Sequence, residues 1–306
     1  MTQFAQNVVL GLLLGGVYAL VASGLTLIFG VMKVINIAHG AFLVLASFIS
    51  YTLWSALGID PLLGILVTSP IIFAAGWLTY KVAVEPIRTA PMTSTVLLTF
   101  GLALVLEGAM GAIWGNNSTS ITPSYAEESF SVAGLFLPKV DVYGLLVAIV
   151  VLGALALILT KTWLGRAIRA AAVNSTGAEL VGIKVSSVAA LVFALGIGAA
   201  GAGGAIIGVL YPFVPGSHYL WIARLLAIVV LGGMGSQLGV ALAAIAMIGG
   251  FELFRGLDQF RMLVFGGVMV LLMIWRPRGL IGHRAPTVFL QKRTEISASL
   301  VKEGHG

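Results

Sequence analysis

Residues 7 to 30, NVVLGLLLGGVYALVASGLTLIFG, stay apolar and uncharged for long enough to cross a lipid bilayer. A spanning helix needs about 20 such residues. A chain that repeats this pattern has few folds open to it, because backbone polar groups in lipid must be satisfied inside the segment, as a helix does. Further runs of the same kind lie near 39 to 57, 61 to 82, 95 to 115, 141 to 160, 186 to 210, 237 to 254 and 260 to 276, with a shorter piece at 220 to 232. The expected architecture is therefore all-α: a polytopic membrane protein of about 8 to 9 transmembrane helices. Only 9% of the residues are charged, against about 25% in ordinary soluble domains, which excludes that class. No Lys or Arg precedes the first run and no A-x-A site follows it, so it reads as a retained helix rather than a cleaved signal. With no cysteine, disulfides and thiol chemistry are absent.

Lys and Arg set the orientation, since they are retained on the cytoplasmic side. With the N-terminus outside, the inner loops hold Lys33, Lys81, Arg88, Lys161, Arg166, Arg169 and Lys184, and the tail from Arg276 onward is basic too. The outer segments keep only Lys139, Arg255 and Arg261. The C-terminus is thus expected in the cytoplasm, and the longest outer loop, 116 to 140, forms a small polar cap. The net charge of +6 then belongs to cytoplasmic loops and anionic lipid, not to nucleic acid. This orientation sends residues 220 to 254 in and back out, with the break near 232 to 237 as a tight inner turn or a re-entrant segment. Gly196, Ala200, Gly204 and Gly208 form a small-residue stripe, suited to close helix packing within the chain or at a subunit interface.

Two segments interrupt the apolar pattern in a way that points to function. The first is VMKVINIAHGAF, residues 31 to 42, which places Asn36, His39 and Gly40 where continuous helix would be expected. Non-helical backbone at membrane depth is tolerated where it is buried in protein or lines a wet cavity, and broken helices carry the pathway in many transporters. The same side chains also read as caps for a helix junction, and a cap can wall a cavity. The second is the loop at 161 to 186. Thr176 and Glu179 match the capping box S/T-x-x-E, so a short helix should run from there to a stop at Gly182. Arg166, Arg169 and Lys184 flank it. A helix this short needs a surface to lie against, either a soluble partner or the lipid headgroups. Glu107 and Arg224, both within apolar runs, are candidates for an intramembrane charge pair.

There is no G-x-x-x-x-G-K-[ST], so nucleotide must be bound elsewhere, and no H-E-x-x-H or G-x-S-x-G speaks for a hydrolase. No cofactor or metal is expected. The residues alone leave open a self-sufficient, ion-coupled secondary transporter or channel for a small polar solute, with Glu107, His39 or Arg224 as the relay.

GLLLGGVYALVASGLTLIFGVMKVINIAHGAF, GRAIRAAAVNSTGAELVGI, LLAIVVLGGMGSQLG and WRPRGLIG together resemble the LivH-type permease subunits of the branched-chain amino-acid ABC importer family, over nearly the whole chain. INIAHG is close to that family's Asn-x-Ala-His-Gly motif. The resemblance implies one permease domain over 1 to 306, with a coupling loop at 161 to 186 and a basic cytoplasmic tail at 277 to 306, in a bacterial cytoplasmic (inner) membrane. It also implies two cytoplasmic ATPases, a second homologous permease and an extracytoplasmic solute-binding protein as partners. Branched-chain or other amino acids are the implied cargo, with urea and short-chain amides among the relatives' substrates. Asn36, His39 and Gly40 would lie by the pathway, and Arg166, Arg169, Thr176, Gly177, Glu179 and Gly182 in the coupling loop. Val173 and Asn174 stand where the family often has an early acidic residue.

Overall fold

The computed structural model describes residues 2–88, 90–132, 134–253, 263, 266–267, 270–271, 274 and 279–281. The helix expected at 260 to 276 and the tail at 277 to 306 lie outside the described residues apart from those few positions. Among the described residues seven helices are long and apolar enough to cross a membrane, with one shorter apolar helix besides, as an all-α polytopic membrane protein requires.

The first, α1 (Thr2–Met32), runs unbroken with no proline and no charge in it, its backbone bonds satisfied internally as a membrane requires. Lys33 takes a left-handed conformation, φ 57°, and its N–H bonds back to Phe29 O at 2.9 Å, which closes the helix. α2 (His39–Leu57) stops at Gly58 in the same conformation, φ 66°. Two residues on, the Asp60 carboxylate caps α3 (Pro61–Thr79) by accepting from Leu62 N at 2.8 Å, with Pro61 in the first turn. α3 continues through a π-helical turn, Tyr80–Val84, and a 3-10 turn, Glu85–Ile87, braced by a Lys81–Glu85 ion pair of 2.8 Å. α4 (Met92–Trp114) leads to the outer loop, where β1 (Ser129–Val132) and β2 (Leu135–Pro138) form an antiparallel hairpin. Gln6 ties this cap to α1, its Oε1 accepting from Phe136 N at 2.8 Å. Tyr125 ties it to α3 by donating to Asp60 Oδ1 at 3.1 Å. Burial first, and then the Asp60 charge, push the Tyr125 phenol far above its usual titration range.

α5 (Lys139–Lys161) descends to α6 (Trp163–Val173) and α7 (Ser175–Leu180), and α8 (Val185–Leu210) returns. The piece expected at 220 to 232 is longer: a 3-10 turn, Pro215–Ser217, opens α9 (His218–Gly232). α10 (Gln237–Leu253) completes the described helices.

α1 and α8 are the centre of the bundle, 78% and 89% buried along their spanning windows, against 17% for α4 and α5. The small-residue stripe explains why α8 can sit there. A Cβ on Gly196 would lie 2.6 Å from Gly24 O of α1, and one on Gly204 would collide with Leu43 O of α2. Backbones therefore touch directly, the packing that small residues permit in a membrane. The stripe is consumed inside the chain. α4 and α5 instead present large apolar side chains such as Leu97 and Val150 outward.

Candidate translocation and coupling site

The linker after Lys33 does not stay at the end of α1. It climbs back alongside that helix, so that α2 begins well inside the bundle: His39 Nε2 lies 3.1 Å from Val21 O. Val21 is eleven residues before Met32, which at 1.5 Å per residue puts the start of α2 about 16 Å up from the end of α1. That is roughly half of a 30 Å hydrocarbon core. α4 holds the climbing strand: Thr99 Oγ1 accepts from Ile37 N at 3.2 Å and donates to Val96 O at 3.1 Å or Ile35 O at 3.4 Å.

Within this break Asn36 and His39 are both fully buried. Asn36 Oδ1, Asn36 Nδ2 and His39 Nδ1 have no hydrogen-bond partner among the described residues. The expected capping role is therefore not what is seen. The N-cap of α2 is Ala38, with no side-chain cap, and Asn36 contributes only its backbone O, to His39 N at 3.3 Å. Buried polar atoms left unpaired cost about 1–3 kcal/mol each, so this is an unusual place for two polar side chains to be kept. Gly40 brings a second broken element to the same depth. A Cβ there would sit 2.6 Å from His218 O, so the N-terminal turns of α2 and α9 pack against one another.

The break near 232 to 237 meets α1 as well. Gly233 and Gly235 turn the chain at φ 99° and 91°, Gly235 N donates to Thr26 Oγ1 at 2.9 Å, and Gln237 Nε2 donates to Ser23 O at 3.1 Å. Leu280 N and Ile281 N close the end of α9 on Leu231 O and Gly232 O, at 2.7 and 3.2 Å. Both interruptions thus flank the last three turns of α1.

Glu107 and Arg224 do not pair with each other. Glu107 Oε2 accepts from His218 Nε2 and from Tyr219 OH, each at 3.0 Å. Arg224 lies one and a half turns further along α9, its guanidinium carbon 5.5 Å from the Trp221 ring centroid. Five residues on a helix separate Tyr219 from Arg224 by about 7.5 Å and 140°, so the two face different sides.

In the loop at 161 to 186 the expected capping box is replaced by an earlier cap. Asn174, extended at φ −153°, accepts from Gly177 N at 2.9 Å through its side chain, and α7 starts at Ser175. Thr176 and Glu179 are exposed on the surface of that helix, and Gly182 ends it at φ 85°. α6 buries Ala167, Ile168 and Ala171 against the bundle and leaves Arg166 and Arg169 outside, where Arg169 bonds to Leu159 O. α7 buries only Ala178, while Leu180 and Val181 are 84% and 76% exposed. Between this segment and the start of the linker lies a cavity of about 560 Å³, walled by Met32, Lys33, Arg88, Asn174, Glu179 and Ser186 among others. The two interrupted segments therefore share one space.

Thr99 and Tyr219 were not singled out by sequence, and Asn174 only as a departure from the family's early acidic residue. A serine or threonine in an apolar helix signals little on its own. Asn174 was discernible as a favoured N-cap type, two residues before the threonine of the box motif.

The family described as "Branched-chain amino acid transport system / permease component" matches residues 7–273. The chain is 29% identical over 302 residues to the high-affinity branched-chain amino acid transport system permease protein BraD of Pseudomonas aeruginosa, covering 92% of this chain and 96% of that one. It is 27% identical over 306 residues to LivH of Escherichia coli, with the same coverage. LivM of the same species, also a permease protein of that name series, matches at 38% over 130 residues, 42% of this chain and 31% of that one. No solved structure matches.

Proposed function

The chain belongs to the family of branched-chain amino acid transport system permease components, and from that premise we propose that it is the membrane permease of an ATP-driven, binding-protein-dependent importer of branched-chain amino acids. It is a transport subunit and not an enzyme, a multi-pass membrane protein whose energy comes from elsewhere. In this reading it works in a bacterial cytoplasmic membrane beside a sister permease, over two cytoplasmic ATPases, and receives its cargo from an extracytoplasmic binding protein. The presence of both LivH and LivM among the relatives supports a pair of different permeases. The full chain forms one permease domain, N-terminus outside. Support for that orientation comes from alternation: Lys33, Lys81, Arg88 and the α5–α8 loop all fall at one end of the described bundle.

The observation that carries the mechanism is the exposed apolar tip of α7, Leu180 and Val181, set on a segment whose other side walls the cavity beneath the α1–α2 linker. An ATPase groove covering that tip would displace α7 as nucleotide binds and is hydrolysed. α6, amphipathic and packed on the bundle, passes the displacement to the cavity wall, and so to Lys33 and the strand that leads to Asn36 and His39. The route for cargo runs past those two side chains, whose unpaired polar atoms offer transient partners to a polar solute in an apolar surround. The family assignment favours this over a self-sufficient carrier. Gentle purification from the native membrane, followed by mass spectrometry, tests it. Recovery with two ATPases and a sister permease is the expected result; recovery of this chain alone would overturn it.

A further inference from the structure

Glu107 stands apart from the pathway residues just described. It projects from a helix that otherwise shows the lipid-facing pattern, seven residues before the end of α4 and hence about 10 Å inside it. Its side chain is 30% exposed, one turn along α4 from the exposed apolar Leu104. A carboxylate open to hydrocarbon is strongly disfavoured, and acidic side chains inside membranes face interiors or water-filled routes. This one is held in place: a fully buried His218 and the Tyr219 hydroxyl both bond to Oε2, each at 3.0 Å. Among the described residues the other oxygen, Oε1, has no hydrogen-bond partner; it lies against Gly216, where an added Cβ would crowd it at 3.3 Å.

We propose that Glu107 is a binding group of the translocation route, and that its free oxygen takes the α-ammonium of the amino acid in transit. The inference rests on the importer reading above. The chemistry fits both ends of such a cargo. An oriented carboxylate accepts charge-assisted hydrogen bonds from an ammonium, and the exposed Leu104, one turn before it on α4, offers apolar surface to an aliphatic side chain. His218 and Tyr219 act as positioning residues, fixing the carboxylate at the N-terminal turn of α9, where His218 O also meets Gly40 of the deep break. The face bearing Glu107 is thereby assigned to the wall shared with the sister permease rather than to lipid.

The chain has no cysteine, so one introduced at Leu104, a helical i,i+3 neighbour of Glu107, reports the site alone when labelling is followed on this chain. In the assembled complex, Leu104→Cys should react with small charged methanethiosulfonates. The cationic reagent should be favoured over the anionic one by about tenfold, from opposite signs at about 6 Å from a carboxylate in water, and Glu107→Gln should abolish the preference. Glu107→Gln keeps an acceptor for His218 and Tyr219 while removing the charge, so complex assembly should persist. ATP-driven uptake of L-leucine in vesicles should fall at least about tenfold. Failure of the cysteine to react, reaction without charge preference, or unchanged uptake in Glu107→Gln would each overturn the assignment. So would uptake that depends on a sodium gradient, which would give the site to an inorganic cation. If the wild-type complex moved no leucine with ATP, the importer reading itself would fall, a result separable from any of these.

Discussion

Replacing Thr99 by Val tests whether α4 holds the re-entrant linker. The substitution keeps the shape of the side chain and removes the oxygen that accepts from Ile37 N at 3.2 Å. Leaving a buried donor without a partner costs about 1–3 kcal/mol. Ile37 is only half-buried, so the freed N–H recovers some solvation and the lower part of that range applies, about 1–2 kcal/mol. If exchange of this amide proceeds through reversible local opening, hydrogen exchange at Ile37 should quicken by roughly 5- to 30-fold in Thr99→Val. Thr95, also buried and one turn earlier on the same face of α4, provides the control: Thr95→Val should leave the rate within about twofold. Equal exchange in Thr99→Val and wild type would refute the idea that this hydroxyl secures the linker, and equal acceleration in both variants would show general loosening of α4 instead.

Other consequences are more direct. Asn174→Ala should destabilise α7 by about 0.5–2 kcal/mol, seen as faster exchange over residues 175 to 180, whereas Thr176→Ala should leave that stretch nearly unchanged, because the cap is Asn174 and not the threonine. Leu180→Asp with Val181→Asp should abolish co-purification of the ATPases while shifting the detergent melting temperature little, since both side chains are already exposed. Gly196→Val should cut the yield of folded protein sharply, as its Cβ meets Gly24 O at 2.6 Å, while Gly153→Ala, in open space on α5, should be neutral or stabilise the helix by up to about 1 kcal/mol.

The all-α membrane architecture was legible because each span carries its own signal, a long apolar run that tertiary contacts need not complete. The break at 31 to 40 was legible for the same reason. Its depth was not, because that depends on His39 meeting Val21 across eighteen positions, and the strand's anchor, Thr99, lies on a helix sixty-two positions away. The cap of α7 was misplaced by two residues because Asn174 and Thr176 are both good N-cap types. The backbone decides between them: α6 ends at Val173 and leaves Asn174 extended, the geometry an N-cap needs. Glu107 was visible as a charge out of place, but Arg224 was its obvious partner in sequence. Only the start of α9 beside α4 shows that a histidine and a tyrosine take that role. The glycine stripe of α8 left two readings open in sequence, and the contacts with Gly24 and Leu43 choose the internal one.

In the proposed function this permease moves amino acid with ATP through partner subunits. Uptake of L-leucine into vesicles holding the purified complex, with the binding protein outside in the orientation proposed above and ion gradients collapsed by ionophores, tests it most directly. Uptake should require internal ATP and the binding protein and should survive the ionophores. Uptake by this chain alone that ignores ATP and vanishes with the gradient would contradict it.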